Sequence, residues 1–513
     1  MRTVSGEQGH QQQAIEQQMP ERLLETQKKE QVERLGTAKI SKLMAEFAVP
    51  SIIGLVVNGL YNIINSIFLG QAVGPVGLAV STIAMPIMVF SISVGVLIGT
   101  GGNALIALRL GEGKHKDAEK ILGNALTLTI ITALICTIGT FVFEDTVLRL
   151  SGATEETWEG SSIFIRIIAA GFILQFFSMG FNNFIRTAGD PNRALYTMIA
   201  GTLSCIALNF LFVMVLGWGV PGSAMATLFG QAVSAALVFW YFVFSKKAPF
   251  KLKTSNLPLK IHLVRLILVL GSAAFVLQFS NAIINLLVNN QLVALGALSP
   301  LGSQGALASI GVVNRIAMFT LFPIIGVSIA AQPIFGFNYG AKNFRRVIKA
   351  FQVALIWIVA FGVFFWILVH LIPGPIARLF GVEDELLIFT TKALIVQLFM
   401  MPVMGLQTIC SSYFQASGQP VKSVYLSLTR QILYLIPLIF LMPVLITIIS
   451  PSFTPLDGLY YAYPVADALS VITAAVFMLV EFRKLKEKIR IQDQDKAAIA
   501  IDGIVNEVDE ATS

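Results

Sequence analysis

The segment Arg186-Thr-Ala-Gly-Asp-Pro191 returns as Gln415-Ala-Ser-Gly-Gln-Pro420, 229 residues further along the chain. Outward from this pair, the same spacing relates Gly111 to Gly340, Phe90 to Phe319 and Leu78 to Leu307. The matches extend without a gap over about 120 residues, which chance would rarely give. The chain is therefore predicted to contain two homologous halves, an arrangement that is common in carriers whose lobes alternate access to a site between them.

Apolar runs of roughly 20 residues, the length that crosses a bilayer as a helix, recur through the 513-residue chain. Hydrophobic residues make up 55% of the chain and charged residues 13%, against about 25% charged residues in globular domains. The pattern predicts an all-α membrane protein whose twelve transmembrane helices form two pseudo-symmetric six-helix bundles. The predicted spans are residues 43–69, 77–107, 121–144, 162–185, 194–217 and 222–245, then 264–297, 305–337, 350–371, 386–412, 423–448 and 458–480.

The loops between the spans differ in charge. Basic residues cluster at 114–120, 246–260 and 342–349, whereas the opposite loops carry acidic clusters at 155–159 and 383–385. By the positive-inside rule, the basic loops and both termini are predicted to be cytoplasmic, in a multi-pass protein of the cell membrane. The basic residues behind the net charge of +7 are spread over several loops, so we expect no nucleic-acid partner.

The spans divide the chain into five parts. We expect a polar N-terminal tail at 1–42, a first lobe at 43–245, a basic cytoplasmic linker at 246–263, a second lobe at 264–482 and a cytoplasmic C-terminal tail at 483–513. The N-terminal tail lacks the apolar core of a cleavable signal peptide. The mixed charges after residue 485 predict a disordered segment.

Four ionisable residues lie deep within predicted spans of the second lobe: Arg315, Lys392, Arg430 and Asp467. A charge at the centre of a bilayer costs roughly +2.5 to +3.5 kcal/mol even on insertion scales, so each is a candidate substrate- or ion-binding residue. Arg430, in the preceding helix, could reach Asp467. Two interpretations stay open for Asp467: a salt bridge that holds helices together, or an ion-responsive carboxylate whose partner changes during a transport cycle.

Amide side chains form stripes along the first helix of each lobe. Asn58, Asn62 and Asn65 recur at helical spacing in the first lobe, as do Gln278, Asn281, Asn285 and Asn289 in the second. Amides that face lipid would be costly, so the stripes predict either a packing seam between helices or the lining of a water-filled cleft. We favour the cleft, because the leading helices of both lobes share the pattern.

No motif of enzymatic chemistry accompanies these features. Gly101-Gly102 lacks the lysine and Ser/Thr of a phosphate-binding loop, and the four histidines are scattered. Cys136, Cys205 and Cys410 lie within spans and have no CxxC spacing, so neither zinc nor a disulfide framework is indicated. We therefore expect no enzyme activity, no metal site and no cofactor.

Several short motifs recur in order along residues 40–482. They are Lys42-Leu-Met-Ala-Glu-Phe-Ala-Val-Pro50, Leu60-Tyr-Asn-Ile-Ile-Asn-Ser-Ile-Phe-Leu-Gly70, Gly77-Leu-Ala79, the basic loop after Gly111, residues 186–191, and their counterparts in the second half. In this order they resemble the multidrug and toxic compound extrusion (MATE) transporters, and most of all the MepA-like branch. The resemblance implies two lobes of six helices and export of organic compounds driven by inward flow of H+ or Na+.

The chain departs from the resembled family at two positions. Members commonly carry an aspartate in the first helix, where Asn65 stands here, and another in the fifth helix, where Asn209 stands. An amide does not exchange a proton near neutral pH, but its carbonyl oxygen can bind a hard cation such as Na+. The coupling ion, H+ or Na+, is therefore left open.

Together these features predict a monomeric, ion-coupled antiporter that exports drugs or other xenobiotic small molecules by alternating access. Because Arg315, Lys392 and Arg430 outnumber Asp467, a flippase or exporter of lipid-linked or anionic substrates is the alternative. A passive channel is a third interpretation, which would conduct without saturable, gradient-dependent flux. The sequence identifies neither the substrate nor its charge.

Overall fold

The computed structural model describes residues 30–151, 153–300, 302–380, 382, 384–449 and 453–512. Within these ranges all of the regular secondary structure is helical, and ten helices are long and apolar enough to cross a membrane. Two bent helix pairs meet the same criterion when each pair is taken as one span, which gives the twelve predicted spans. The predicted all-α membrane fold is therefore confirmed.

The first lobe contains the spans that we number 1 to 6. They are Ile40–Val73, Pro75–Gly111, His115–Val142, the bent pair Glu155–Ala170 with Phe172–Thr187, Pro191–Asn209 continued by the π-helical Phe210–Val215, and Gly219–Val243. Span 4 bends by 51° between its two helices, and the short helix Glu144–Leu150 precedes it.

The second lobe repeats this order in spans 7 to 12. They are Ile261–Gly296, Gly302–Gly340, Phe344–Leu371, the bent pair Asp384–Gln397 with Met401–Ala416, Pro420–Leu428 continued by the π-helical Thr429–Leu435 and Ile436–Ile449, and Pro455–Thr512. Span 10 bends by 50°, and the short helix Pro373–Arg378 precedes it. The short helices begin at Glu144 and Pro373, 229 residues apart, so the repeat extends to irregular features of the fold.

The repeated six-residue segment forms the turn before span 5 and again before span 11. Gly189 (φ 85°) and Gly418 (φ 75°) take the left-handed backbone conformation that glycine adopts at little cost. Asp190 and Gln419 are the N-cap residues of the next helices, and a proline occupies the first position of each. The glycine and the proline of both copies therefore have the same explanation, a tight turn between two helices.

The lobes meet through spans 1, 2, 7 and 8. Two of the closest contacts are reciprocal: a Cβ at Gly111 would lie 2.0 Å from the carbonyl oxygen of Phe337, and a Cβ at Gly340 would lie 2.2 Å from that of Leu108. The 229-residue spacing relates Gly111 to Gly340 and Leu108 to Phe337. A pseudo-two-fold axis between spans 2 and 8 therefore relates the two lobes.

Spans 2 and 7 also touch through their backbones. A Cβ at Gly271 would lie 1.8 Å from the carbonyl oxygen of Leu97, and a Cβ at Gly101 would lie 2.0 Å from that of Ile267. Small residues allow helices to approach this closely. All of these contacts lie in the half of the bundle next to the basic loops, which we call the basic half; the opposite half is the acidic half.

The helix of span 12 continues well beyond the bundle. The prediction that the residues after 485 are disordered is wrong for residues 485–512, which are helical. Asp493 accepts a hydrogen bond from Arg345 (2.6 Å), and Lys488 donates to the Tyr339 hydroxyl (3.3 Å). These contacts hold the extension against the turn between spans 8 and 9.

The N-terminal tail is only partly described. Residues 1–29 lie outside the described ranges, and residues 30–37 are helical. Val32 and Leu35 of this segment are buried in the same hydrophobic core as Phe337 of span 8. The part of the tail next to span 1 therefore packs against the basic half.

Candidate functional site

Buried polar side chains connect the lobes in the basic half. Asn103 Nδ2 of span 2 donates to Gln332 Oε1 of span 8 (3.0 Å), and Gln332 Nε2 donates to Gln415 Oε1 of span 10 (2.7 Å). Gln415 Nε2 donates to the carbonyl oxygen of Leu270 in span 7 (2.7 Å). At the other end, the Thr187 hydroxyl donates to Asn103 Oδ1. We call Thr187, Asn103, Gln332 and Gln415 the amide chain; it joins helices of both lobes and closes the basic half.

Span 8 presents one face to the first lobe. Near the middle of the bundle, the Phe322 ring lies 2.5 Å from where a Cβ at Gly59 would be, and Gly326 lies against Ile52. Arg315 precedes Phe322 by seven residues and Gly326 by eleven, and residues at these spacings share a helix face. Arg315 is exposed. By this spacing it lies on the side of span 8 that is turned toward the first lobe, and its exposure indicates a gap between the lobes in the acidic half.

Span 7 also turns one face toward the first lobe, the face on which Gly271 touches span 2. Gln278 and Asn285 follow Gly271 by seven and fourteen residues, so the three residues share a face. Gln278 is half-buried, whereas Asn285 and Asn289 are exposed. These amides line the second-lobe side of the gap.

The first lobe supplies an apolar wall to the gap. Ile63 and Ile67 continue the face of Gly59 along span 1, and Phe90 continues the face of Leu97 along span 2. Their exposed fractions are 38%, 49% and 42%. We call the gap between this wall and the face that carries Gln278, Asn285 and Arg315 the cleft; the amide chain lies at its closed end.

Asn65 lies in a seam inside the first lobe. Asn65 Oδ1 accepts from Asn209 Nδ2 of span 5 and from the Ser223 hydroxyl of span 6 (2.9 Å). One turn nearer the basic half, the hydroxyls of Tyr61 and Thr227 are 2.9 Å apart. The cluster collects amide and hydroxyl oxygens from three helices, and the buried Asn209 Oδ1 has no hydrogen-bond partner. Such oxygens suit a hard cation.

The predicted stripe on span 1 also includes Asn58 and Asn62. Asn58 is exposed and has an interacting partner. The side chain of Asn62 lies outside those that the structure describes. Among the described residues no group of three His, Cys, Asp or Glu side chains could hold a metal ion.

The predicted contact between Arg430 and Asp467 is present in the second lobe. Arg430 Nε lies 2.6 Å from Oδ1 of Asp467, whose side chain is 5% exposed. The neighbouring Gln431 donates to Asn281 Oδ1 (2.7 Å). This contact links Asn281, one turn before Asn285 on span 7, to span 11.

Lys392 belongs to a separate ion pair. Its Nζ lies 2.6 Å from Oδ1 of Asp457, at the first turn of span 12. The four ionisable residues of the second lobe therefore do not form one network: Arg430 binds Asp467, Lys392 binds Asp457, and Arg315 stands apart. Arg315 makes no hydrogen bond or ion pair with any side chain that the structure describes.

The spans around the cleft contain no carboxylate. Neither 47–111, which covers nearly all of spans 1 and 2, nor 261–340, which covers spans 7 and 8, includes an Asp or a Glu. The basic residues Arg109, His262 and Arg265 lie at the ends of these spans near the basic loops. By sequence, Arg315 is therefore the one Asp, Glu, Lys, Arg or His residue in the acidic half of these four spans.

Sequence reasoning missed Asp457, Ser223 and the amide chain. Asp457 stands at the edge of a predicted span, where a carboxylate looks like a loop residue. A signal for the amide chain was available, because Asn103 and Gln332 are amides 229 residues apart.

A family model described as MatE matches residues 50–211 and 278–441. The first match runs from span 1 into span 5 and the second from span 7 into span 11, so the family pattern occurs once in each lobe.

Two relatives match nearly their whole length. The chain is 26% identical over 454 residues to a probable multidrug resistance protein, YoeA, of Bacillus subtilis (strain 168), covering 86% of this chain and 95% of the relative. It is 24% identical over 463 residues to the multidrug export protein MepA of Staphylococcus aureus (strain NCTC 8325 / PS 47), covering 87% of this chain and 99% of the relative.

Solved structures share the fold. An outward-facing multidrug resistance MATE transporter of the MOP superfamily superposes with a TM-score of 0.81 at 22% identity, covering 88% of this chain and 98% of that one. A MOP superfamily transporter of Pyrococcus furiosus, described as having a binding pocket of reverse polarity, gives 0.81 at 23% identity, covering 89% and 98%.

Proposed function

The chain belongs to the MatE family, and on this basis we propose that it is an ion-coupled antiporter that exports drugs or other xenobiotic organic compounds. The observation that carries the proposal is the cleft between two homologous lobes. Its walls are exposed in the acidic half, and the amide chain and the glycine contacts close it in the basic half. A carrier needs a site that opens to one side of the membrane at a time, and this geometry provides one.

We propose that the basic half faces the cytoplasm. The basic loops, the described part of the N-terminal tail and the helical extension of span 12 lie on that side, in agreement with the positive-inside rule for a protein of the cell membrane. The structure then corresponds to an outward-facing state. In the opposite state, the lobes separate where the amide chain now joins them and close over the acidic half.

The cleft suits amphipathic ligands. Ile63, Ile67 and Phe90 form an apolar wall, and the amides of span 7 face them. Binding sites for small molecules commonly combine apolar surface with a few polar groups that set orientation. Because one chain supplies both walls, the proposal needs no second subunit, and we propose a monomer.

Two places in the molecule support the proposal of ion coupling. A proton on Asp467 would remove the charge that Arg430 binds, and would free Arg430 to change partner. A Na+ ion could instead bind the oxygens around Asn65 and Asn209, since amide and hydroxyl oxygens are ligands of hard cations. The chain thus has one buried candidate for each coupling ion.

Reconstitution into liposomes with separately imposed pH and Na+ gradients tests the function. We expect uptake of an amphipathic fluorescent compound that saturates with concentration and responds to one of the two gradients. Flux that neither gradient changes would exclude ion-coupled antiport, and unsaturable ionic current would indicate a channel.

A further inference from the structure

We propose that Arg315 is the head-group-binding residue of the cleft, and that the preferred substrates are amphiphiles with an anionic head group. This inference rests on the proposed transport function and specifies its substrate class. It starts from a charge without a counter-charge: Arg315 is exposed on the face of span 8 that looks at the first lobe, and it binds no described side chain.

The surroundings of Arg315 leave its charge to a ligand. Among the described side chains of the first lobe, Ile63, Ile67 and Phe90 are exposed on the faces that continue toward the cleft, and none of the three can accept a hydrogen bond. Asp467 and Asp457 of span 12 are buried carboxylates, but they are already paired with Arg430 and Lys392. An arginine that faces apolar surface without a partner is costly within a membrane, so such residues usually serve binding.

Asn285 lies at a matching depth on the neighbouring span. Arg315 is thirteen residues from the start of span 8, or about 20 Å, and Asn285 is eleven residues from the end of span 7, or about 17 Å. Spans 7 and 8 are joined by the short connection between Gly296 and Gly302. Both residues belong to the cleft face, so a carboxylate, sulfonate or phosphate at Arg315 lies level with a side-chain amide donor.

Phe322 and Phe90 supply aromatic surface for the apolar body of such a ligand. Phe322 lies seven residues, or about 10 Å, further toward the closed end than Arg315. The guanidinium forms a planar fork of donors that matches carboxylate and phosphate groups, while the apolar wall accommodates an aromatic or aliphatic body. An organic cation would meet the positive charge of Arg315 without any carboxylate from the four spans around it.

The test compares fluorescein with a cationic rhodamine in the same liposomes, because the two dyes share a xanthene body and differ in charge. We expect the wild-type protein to transport fluorescein faster than the rhodamine. In Arg315→Gln, fluorescein transport should fall roughly tenfold or more, as for loss of a charged hydrogen bond, with little change for the rhodamine. Arg315→Lys should keep part of the preference, and Arg315→Glu should reverse it.

Arg378→Gln is the matched control. Arg378 is also exposed and makes no hydrogen bond or ion pair with a described side chain, but it lies in the short helix after span 9, outside the cleft. The same loss of one positive charge there should leave both rates unchanged. A melting temperature for each variant shows whether the protein is folded.

The outcomes separate the two proposals. If the wild type moves neither dye under any gradient, the transport function and the inference both fail. If it moves the rhodamine preferentially, or if Arg315→Gln leaves the ratio of the two rates unchanged, transport stands and the role of Arg315 is wrong. A second arm with a fluorescent phosphatidylglycerol identifies the source of the anion: Arg315-dependent movement of this lipid across the bilayer indicates a lipid head group, and movement of fluorescein alone indicates a soluble compound.

Discussion

Asn103 and Gln332 are hydrogen-bonded to one another at 3.0 Å and are also equivalent positions of the two repeats, 229 residues apart. A contact between equivalent positions lies on the axis that relates the two lobes. Both side chains are buried, with 2% and 6% exposed. The hydrogen bond therefore marks the point about which the lobes are arranged, and it must change when they rearrange.

Replacing Gln332 should weaken the closed basic half. In Gln332→Leu, Asn103 Nδ2 and Gln415 Oε1 lose their partners, and each unsatisfied buried group costs about 1 to 3 kcal/mol. We expect the protein to shift toward the state that is open on the basic side. A cysteine at the buried Ala107, in a background without native cysteines, should then react faster with a membrane-impermeant maleimide in inside-out vesicles.

Gln407→Leu is the control for that shift. Gln407 is also buried, but it donates to the carbonyl oxygen of Leu426 within the second lobe (2.9 Å). Its loss should lower stability without exposing Ala107→Cys. Equal labelling of the parent and the Gln332→Leu protein would show that the amide chain does not hold the lobes closed.

Asp467→Asn should abolish gradient-driven transport while the protein still folds. The amide keeps the shape of the side chain but cannot gain or lose a proton, so the pair with Arg430 loses its switchable charge. We expect efflux at least tenfold below wild type, with an unchanged elution profile in detergent. Asp457→Asn, which removes another buried carboxylate of span 12, should retain efflux. Normal efflux by Asp467→Asn would remove Asp467 from the mechanism, and loss of folded protein would favour the structural salt bridge.

Asn65→Asp tests the oxygen cluster of the first lobe. A carboxylate at this position can still accept hydrogen bonds from Asn209 and Ser223. It also adds a negative charge, which strengthens binding of a hard cation. We expect transport by this variant to reach half of its maximal rate at a lower Na+ concentration than the wild type. An isosteric Asn65→Leu variant, which lacks the oxygen, should lose any Na+ dependence, and identical Na+ curves for all three proteins would place the cation elsewhere.

Gly271→Ala should destabilise the contact between the lobes. The added Cβ would lie 1.8 Å from the carbonyl oxygen of Leu97, so spans 2 and 7 must separate; overpacking of this kind typically costs about 1 to 3 kcal/mol. Gly139→Ala is the control, because a Cβ there meets nothing within 4 Å. In that helix position alanine is about 0.5 to 1 kcal/mol better than glycine. Thermal unfolding should therefore shift downward for Gly271→Ala and remain level or rise for Gly139→Ala.

The spans and the lobes could be predicted because they depend on local composition. A run of apolar residues identifies a helix that crosses a bilayer wherever it packs, and the 229-residue spacing relates the halves without any knowledge of contacts. The failure at residues 485–512 has a related cause. Their mixed charge lacks an apolar stripe, and the partners that hold the helix, Arg345 and Tyr339, lie in a distant turn.

The arrangement of the candidate site depends on helix rotation, which the sequence does not contain. Asn281 and Asn285 are one turn apart, yet Asn281 binds Gln431 in span 11 and Asn285 shares the cleft face with Gly271. Likewise Lys392 could have joined Asp467, but the relative height of spans 10 and 12 places Asp457 beside it. Only the pairing of Arg430 with Asp467 could be expected from the sequence, because spans 11 and 12 are consecutive in the chain.

The reciprocal contacts of Gly111 with Phe337 and of Gly340 with Leu108 have the form of a homodimer interface. A one-bundle ancestor could have made both contacts between two identical chains lying parallel in the membrane. Fusion into one polypeptide frees each copy to vary alone: Gln415 donates to the Thr100 hydroxyl of the other lobe (3.3 Å), whereas its twin Arg186 stays buried beside Asn183 of its own lobe. Such divergence gives each lobe polar contacts that its counterpart lacks, which two identical subunits could not achieve.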